Sequence, residues 1–129
     1  MTHIHPVRVY YEDTDLAGIV YYANYLKFIE RGRTEYVRAL GIDQAALRNE
    51  TGIVFAVRRV EADYLAPAVF GDDLTVETEV EVVKGASLVM LQRVVRDGRV
   101  LFSARVVLVA LAADGSAARL PADIRRLLA

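Results

Sequence analysis

The chain lacks cysteine and tryptophan, and it has only two histidines and three prolines in 129 residues. Without cysteine it can form neither a disulfide bond nor a thiol nucleophile, so cysteine usage does not indicate a cellular compartment. No apolar run reaches the ~18 residues that a membrane-spanning helix needs. The net charge of -1 argues against an electrostatic nucleic-acid binder.

Apolar residues are abundant, at 54% of the chain, and they suffice for the core of one domain over residues 1–129. The segment Met1–Pro6 has no apolar run of the kind that signal peptides carry. We therefore expect a cytoplasmic protein.

The apolar pattern predicts a strand, then a long helix. Alternation indicates a short strand over Val7–Tyr11. Apolar residues at helical spacing then predict an amphipathic helix from about Tyr22 to Leu40, ended by Gly41. Gly32 lies inside this helix, at a cost of up to ~1 kcal/mol against alanine, which a close approach to a sheet would explain.

The remainder reads as a short helix, four strands and a terminal helix. Asp43 caps the short helix, which extends to Asn49. Asp97-Gly98 is a two-residue hairpin signal, and Pro121 suits the first turn of the terminal helix. The predicted strands and terminal helix are Ile53–Tyr64, Leu74–Val82, Ser87–Arg96, Val100–Ala112 and Pro121–Leu128. Because one helix cannot bury its apolar face alone, this order favours an α+β fold with an antiparallel sheet around the long helix.

The loop before the long helix carries the strongest chemical signal. Asp15 precedes Gly18 and the helix start, where unpaired N–H groups form the positive end of the helix dipole. A carboxylate beside such donors can act as a nucleophile or base facing an oxyanion site, although an aspartate that only caps a turn is the simpler alternative. Glu12, Asp13 and Asp15 lack the spacing of a calcium loop, so we predict no metal site.

The spacing D-x-x-G-I-V-x-Y-x-N-Y that begins at Asp15 resembles the active-site segment of hotdog-fold acyl-CoA thioesterases. The likeness is to the 4-hydroxybenzoyl-CoA thioesterase and YbgC-like branch. Further similar segments are Arg33–Glu35, Ala62–Ala68, Phe70–Asp72 and Gly85–Leu88. The resemblance implies a hotdog fold, in which a five-stranded antiparallel sheet wraps around one long central helix.

The same resemblance implies roles for three residues. Asp15 would be the catalytic carboxylate, acting as nucleophile or as general base. The backbone N–H of Tyr22 would donate to the oxyanion, and Gly18 would let the backbone turn close to the substrate. Many YbgC-like proteins have histidine at the position of Tyr22, so an activity that needs that imidazole is not expected.

The implied substrate is a short-chain, branched or aromatic acyl-CoA, with no cofactor because coenzyme A is part of the substrate. Tyr21 and Tyr25 would line the acyl pocket, and Asn24 would either contact the ligand or cap the helix. The candidates for binding the coenzyme A phosphates are Lys84, Gly85, Ala86 and Ser87 from the resemblance, and Arg58 and Arg59 from charge alone.

Two other functions are open to the same fold. One is a non-hydrolytic protein that binds acyl thioesters of CoA or acyl-carrier protein, a scaffold linked to the Tol-Pal envelope system. The other, a dehydratase, needs a histidine near the central helix, whereas His3 and His5 lie in a terminal segment that we expect to be solvated. Hotdog proteins pair their sheets, so we expect a homodimer or homotetramer with the site at the junction.

Overall fold

Four long strands follow the central helix along the chain, as the apolar alternation predicts. The structure is a computed structural model that describes residues 2–129. Its strands are β1 (His3–Arg8), β2 (Val54–Tyr64), β3 (Asp73–Val83), β4 (Ser87–Arg96) and β5 (Arg99–Leu111). Its α-helices are α1 (Asn24–Ala39), α2 (Gln44–Thr51) and α3 (Ala122–Leu128), and Tyr11–Asp13 forms one 3-10 turn.

The strands form one antiparallel sheet in the order β1-β3-β4-β5-β2. Asp97 and Gly98 connect β4 to β5 with φ angles of 50° and 78°, the positive values that a type I′ hairpin turn requires. The expectation of a five-stranded antiparallel sheet around a long helix is confirmed, and the α+β class is that of the hotdog fold.

Helix α1 lies directly on the sheet, with Phe28 and Ile29 each 1% exposed. A Cβ atom added to Gly32 would stand 2.5 Å from Cγ1 of Val76 on β3, so only glycine permits this approach. Gln92 of β4 donates from Nε2 to the carbonyl of Ile29 at 2.8 Å, which ties the helix backbone to the sheet. The close approach suggested by the mid-helix glycine is therefore present.

Helix α1 ends as predicted. Gly41 has a φ of 86°. Its N–H donates to the carbonyl of Arg38 at 2.9 Å, and the N–H of Ile42 donates to that of Val37 at 3.2 Å, the two bonds of a Schellman motif. The cap of α2 is also confirmed, because the Asp43 carboxylate accepts from the N–H of Ala46 at 3.0 Å.

Two predictions about the start of the chain are wrong. It spans His3–Arg8 rather than Val7–Tyr11, because pairing with β3 aligns His3 with Thr78 and places the short 3-10 turn after Val9. The histidines are consequently half-buried rather than solvated, and the His3 ring lies 5.7 Å from the Tyr36 ring of α1. At the other end of the chain, Pro121 is the N-cap of α3 instead of a first-turn residue.

Candidate active site

A cavity of about 400 Å³ opens beside the start of α1. Asp15, Tyr21, Tyr22 and Tyr25 all line it, so the structure brings together four residues that the sequence singles out. The other lining residues are Ile19, Val20, Tyr64, Leu65, Ala66 and Pro67.

A tight loop holds Asp15 at the cavity wall. The N–H of Gly18 donates to the Asp15 carbonyl at 3.0 Å, and the Asp15 N–H donates to the carbonyl of Ile19 at 2.9 Å. Oδ1 of Asp15 accepts from the N–H of Ala17 at 2.9 Å, which is the turn-capping contact of the simpler alternative. Oδ2 accepts no hydrogen bond from residues 2–129, so one carboxylate oxygen is available to a ligand.

Gly18 acts on this loop through backbone conformation. Its φ is 80°, and a Cβ atom added there would meet nothing within 4 Å. It does not line the cavity. The glycine thus permits the turn that holds Asp15, whereas the structure gives no close approach at Gly18 itself.

Hydrogen bonds fix the backbone before and after Tyr22. The carbonyl of Asp13 accepts from the N–H of Tyr21 and from Nδ2 of Asn24, each at 2.9 Å. The hydroxyl of Tyr64 donates to the Tyr22 carbonyl at 2.9 Å. The Tyr22 N–H itself has no acceptor within residues 2–129. A donor that is immobilised yet unpaired has the property that an oxyanion site needs.

Asn24 neither caps α1 nor lines the cavity. It is the first helical residue, the N-cap is Ala23, and the Asn24 side chain is committed to the carbonyl of Asp13. Its observed contact positions the loop.

Tyr25 forms the floor of the site and is 3% exposed. Its ring stacks on that of Phe102 with a centroid separation of 5.1 Å. Its hydroxyl accepts from the N–H of Ala68 at 3.0 Å, and the Ala68 carbonyl accepts from the N–H of Val20 at 2.9 Å. Burial raises the pKa of the Tyr25 phenol, which therefore stays protonated at neutral pH.

The loop after β2 forms the opposite wall of the cavity, and an ion pair between Arg96 and Asp72 fixes that loop. Arg96 donates from Nη1 to Oδ2 of Asp72 at 2.7 Å and to the carbonyl of Pro67 at 3.3 Å. The same Asp72 oxygen accepts from the N–H of Val69 at 2.9 Å. Burial opposes ionisation of Asp72, but these hydrogen bonds and the Arg96 charge outweigh it and lower the pKa of Asp72.

The residues expected to bind coenzyme A phosphates lie elsewhere. Lys84–Ser87 turns from β3 into β4, while Tyr64 aligns across the sheet with Phe102 and Val94. From Ser87 to Val94 the strand spans about 23 Å, so this turn lies at the far end of the sheet from Asp15 in the same chain.

Arg58 and Arg59 are exposed on β2, next to a shift in the register between Val57 and Arg59. Arg59 pairs with Glu61 at 3.2 Å. Neither arginine lines the cavity beside Asp15.

Sequence reasoning assigned no role to the cavity wall formed by Tyr64, Leu65, Ala66 and Pro67. The segment carries no catalytic pattern of its own and belongs to the stretch that resembles the family. The signal for it in the sequence is the change from a strand pattern to Ala-Pro-Ala, which marks a loop at a strand end.

Within residues 2–129 the structure contains no group of three or more acidic or histidine side chains that could hold a metal ion. No helix in that range has the length and apolarity to cross a membrane.

An antiparallel sheet wrapped on a buried helix is the architecture of the hotdog fold, and in this chain a carboxylate and an unpaired N–H lie close to the start of that helix. The model of the Thioesterase-like superfamily matches residues 9–128. The chain belongs to that superfamily, whose model covers nearly its whole length.

Two relatives have assigned activities. The acyl-CoA thioesterase YbgC of Haemophilus influenzae is 50% identical over 101 residues, which cover 78% of this chain and 74% of the relative. The acyl-CoA thioester hydrolase YbgC of Escherichia coli O6:H1 is 46% identical over 104 residues, which cover 81% of this chain and 77% of the relative. The family expected from the sequence is confirmed.

Solved structures agree with the fold. A variant of 4-hydroxybenzoyl-CoA thioesterase, solved with 4-hydroxybenzoyl-CoA, superposes with a TM-score of 0.93 at 26% identity, covering 99% of each chain. A probable thioesterase from Bartonella henselae gives a TM-score of 0.90 at 34% identity, covering 94% of this chain and 100% of the other.

Proposed function

We propose that this chain hydrolyses acyl-CoA thioesters in the cavity beside Asp15. The observation that carries the proposal is that the Asp15 carboxylate and Tyr22, whose N–H is unpaired, line the same cavity. The relatives named as acyl-CoA thioesterases, 46% and 50% identical to this chain, support the reaction class.

The chemistry needs an attacking oxygen and a donor for the oxyanion. The available Oδ2 of Asp15 attacks the thioester carbon to form a mixed anhydride, which water then cleaves to release the acid and restore the carboxylate, or it takes a proton from a water that attacks the thioester carbon directly. The Tyr22 N–H donates to the tetrahedral oxyanion, and the thiolate of coenzyme A departs. Because thiolate is a good leaving group, the site requires no strong general acid.

The walls of the cavity support a short, branched or aromatic acyl group. Tyr21, Tyr22, Tyr25 and Tyr64 line it, and apart from Asp15 the other lining residues are aliphatic. Aromatic side chains favour offset or edge contacts with a ring held between them. A volume of about 400 Å³ is near the lower end of typical ligand pockets, which disfavours long acyl chains.

The sheet edge supports a homodimer, from which a homotetramer could be built. β2 is an edge strand of 11 residues whose centre is exposed, whereas the opposite edge, β1, has six residues and contains Pro6. Long unpaired edges readily pair with another strand, while short strands with proline resist it. We therefore place the partner copy against β2.

Antiparallel pairing of two β2 strands would also make the position of Lys84–Ser87 compatible with its expected role in binding the coenzyme A phosphates. The two-fold axis would bring this turn of the partner to the end of the sheet that holds Asp15. Three strand spacings separate β2 from the partner's β4, about 14 Å in all. Coenzyme A could span that gap, with its thioester at Asp15 and its phosphates at the partner's turn. Acyl-carrier protein could deliver a thioester along the same path.

The proposal is tested by comparing the hydrolysis of a panel of acyl-CoAs by the wild type and by Asp15→Asn. We expect turnover to fall by about 10² to 10⁴ while the fold is retained, because asparagine keeps the Oδ1 contact to Ala17. Asp114→Asn is a matched control: Asp114 makes the same turn contact to the N–H of Ser116 at 2.9 Å, away from the cavity.

Equal turnover by wild type and Asp15→Asn would refute the role of Asp15. Tight acyl-CoA binding without hydrolysis of any panel member would instead identify a non-hydrolytic binding protein. For the oligomer, light scattering should give two or four times the mass of one chain, and a monomer would refute the β2 pairing.

A further inference from the structure

Arg119 lies against the turn that connects β3 to β4. A Cβ atom added to Gly85 of that turn would stand 3.0 Å from Nη1 and 3.7 Å from Cζ of Arg119, so the guanidinium covers the glycine backbone. Gly85 is not among the residues with a positive φ, so the backbone conformation does not require glycine there. The absence of a side chain at position 85 instead makes room for the guanidinium.

Hydrogen bonds on either side hold Arg119 in this position. The N–H of Leu120 donates to the Gly85 carbonyl at 2.8 Å, and the N–H of Ala118 donates to the Ala110 carbonyl of β5 at 2.9 Å. The backbone of Arg119 is therefore fixed to the sheet and to the turn, although the residue itself is exposed.

The turn offers positive charge and hydrogen-bond donors that nothing in the chain satisfies. Neither the N–H of Gly85 nor that of Ala86 donates to an acceptor within residues 2–129. Lys84 and Arg119 belong to none of the ion pairs formed in the same range. Successive free N–H groups in a turn form a concavity that binds anions, and the two cations strengthen it.

The acidic residues nearest in the chain do not neutralise these two cations. Glu81 pairs with Arg105 at 3.0 Å. Asp114 accepts from the N–H of Ser116 at 2.9 Å and from its hydroxyl at 2.6 Å. Asp123 is exposed and forms no ion pair within the described chain. The turn therefore keeps a net positive charge.

We propose that Arg119, together with Lys84–Ala86, binds the 3′-phosphate of coenzyme A and so selects coenzyme A over carriers that lack this group. The inference rests on the proposed function, which supplies the acyl-CoA. A phosphate monoester has a charge of about -2 and three terminal oxygens, whereas each phosphate of the diphosphate has a single charge. Two cations and two free N–H groups match the monoester, and a guanidinium can bind two of its oxygens in parallel.

Pairing of two β2 strands leaves this site uncovered. In the sheet order β5 separates β4 from the β2 edge, so the turn between β3 and β4 is not part of the paired strands. The 3′-phosphate lies at the end of coenzyme A remote from the thioester. Asp15 of one protomer and Arg119 of its partner would therefore hold opposite ends of the same substrate.

Isothermal titration calorimetry with coenzyme A and with 3′-dephospho-coenzyme A tests the inference. Wild type should bind coenzyme A at least tenfold more tightly, because a charged phosphate contact is lost with the other ligand. Arg119→Gln should weaken coenzyme A binding about tenfold and leave 3′-dephospho-coenzyme A binding unchanged. Arg31→Gln is the matched control and should change neither affinity, since Arg31 is also exposed and without an ion pair within residues 2–129 but lies on α1 beside β1.

Gly85→Ala tests the contact itself. Its Cβ would displace the guanidinium, so coenzyme A should bind more weakly than to wild type. In an Arg119→Gln background the same substitution should have no further effect. An equal loss in both backgrounds would contradict the assigned contact.

The outcomes separate this inference from the proposed function. Equal affinities of wild type for the two ligands, or equal effects of Arg119→Gln and Arg31→Gln, would overturn the inference and leave the proposed function standing. Failure of coenzyme A to bind at all would overturn both. Loss of hydrolysis with binding retained would affect the proposed function only, because calorimetry does not need turnover. The comparison of the two ligands on wild type decides the matter even if a variant fails to fold.

Discussion

The N–H of Ala68 donates to the phenolic oxygen of Tyr25 at 3.0 Å, joining the loop after β2 to the first turn of the central helix. Ala68 is 0% exposed, so this N–H has no access to water in place of the phenol. This buried hydrogen bond is therefore one of the contacts that hold the two walls of the candidate site together.

Removing that acceptor should destabilise the protein. We expect Tyr25→Phe to lower the free energy of unfolding by about 1–3 kcal/mol, because a buried donor is left unpaired. Urea denaturation measures the change. Tyr21→Phe is the control, since the Tyr21 hydroxyl makes no hydrogen bond within residues 2–129 and the residue is 45% exposed. Equal effects of the two substitutions would contradict the interpretation.

The contact of Tyr64 with the Tyr22 carbonyl should matter for catalysis more than for stability. Tyr64→Phe frees the peptide next to the proposed oxyanion donor, and we expect kcat to fall by about tenfold, or about 1.4 kcal/mol, with little change in KM. Tyr22→Phe keeps the backbone donor and should retain activity within a few-fold. A large loss in Tyr22→Phe would show that the side chain acts instead.

The glycine of the central helix should resist replacement by the best helix former. Alanine at position 32 gains up to about 1 kcal/mol of helix propensity, but its Cβ would collide with Val76, and overpacking costs about 1–3 kcal/mol. Thermal and urea unfolding should show net destabilisation by Gly32→Ala. In a Val76→Ala background the cost should shrink towards zero, and an unchanged cost would rule out this contact as its cause.

The Asp72–Arg96 pair predicts a dependence of stability on pH. The pKa of Asp72 is lower in the folded protein than its ordinary value of 3.8, so the stabilisation is complete above about pH 4–5 and is lost as pH falls through the folded pKa. Asp72→Asn should cost about 1–2 kcal/mol at pH 7 and less at pH 3.

Asp73→Asn is the control for that experiment. Asp73 pairs with Arg8 at 2.9 Å, but the two side chains are 75% and 65% exposed, and such pairs contribute little. If the difference in the free energy of unfolding between wild type and Asp72→Asn does not become smaller at low pH, the assigned pKa direction is refuted.

Local patterns predicted most of the elements. Strand β4 has the predicted limits, Ser87–Arg96, and the hairpin at Asp97-Gly98 and the cap at Asp43 are also as expected. Each depends on nearby residues only. The first strand lies at His3–Arg8 and not at the predicted Val7–Tyr11, because its extent depends on pairing with β3, about 70 positions away in the chain.

The sequence by itself determined the periodicity of the helices and strands, the turn residues and the Asp15 motif, since these arise from interactions between close neighbours in the chain. Tertiary structure alone decided that Tyr64 and Pro67 face Asp15, that Lys84 lies at the far end of the sheet, and that Arg119 lies over Gly85. The physical reason is that strand order and register select which distant residues meet, and neither is encoded in the pattern of any single segment.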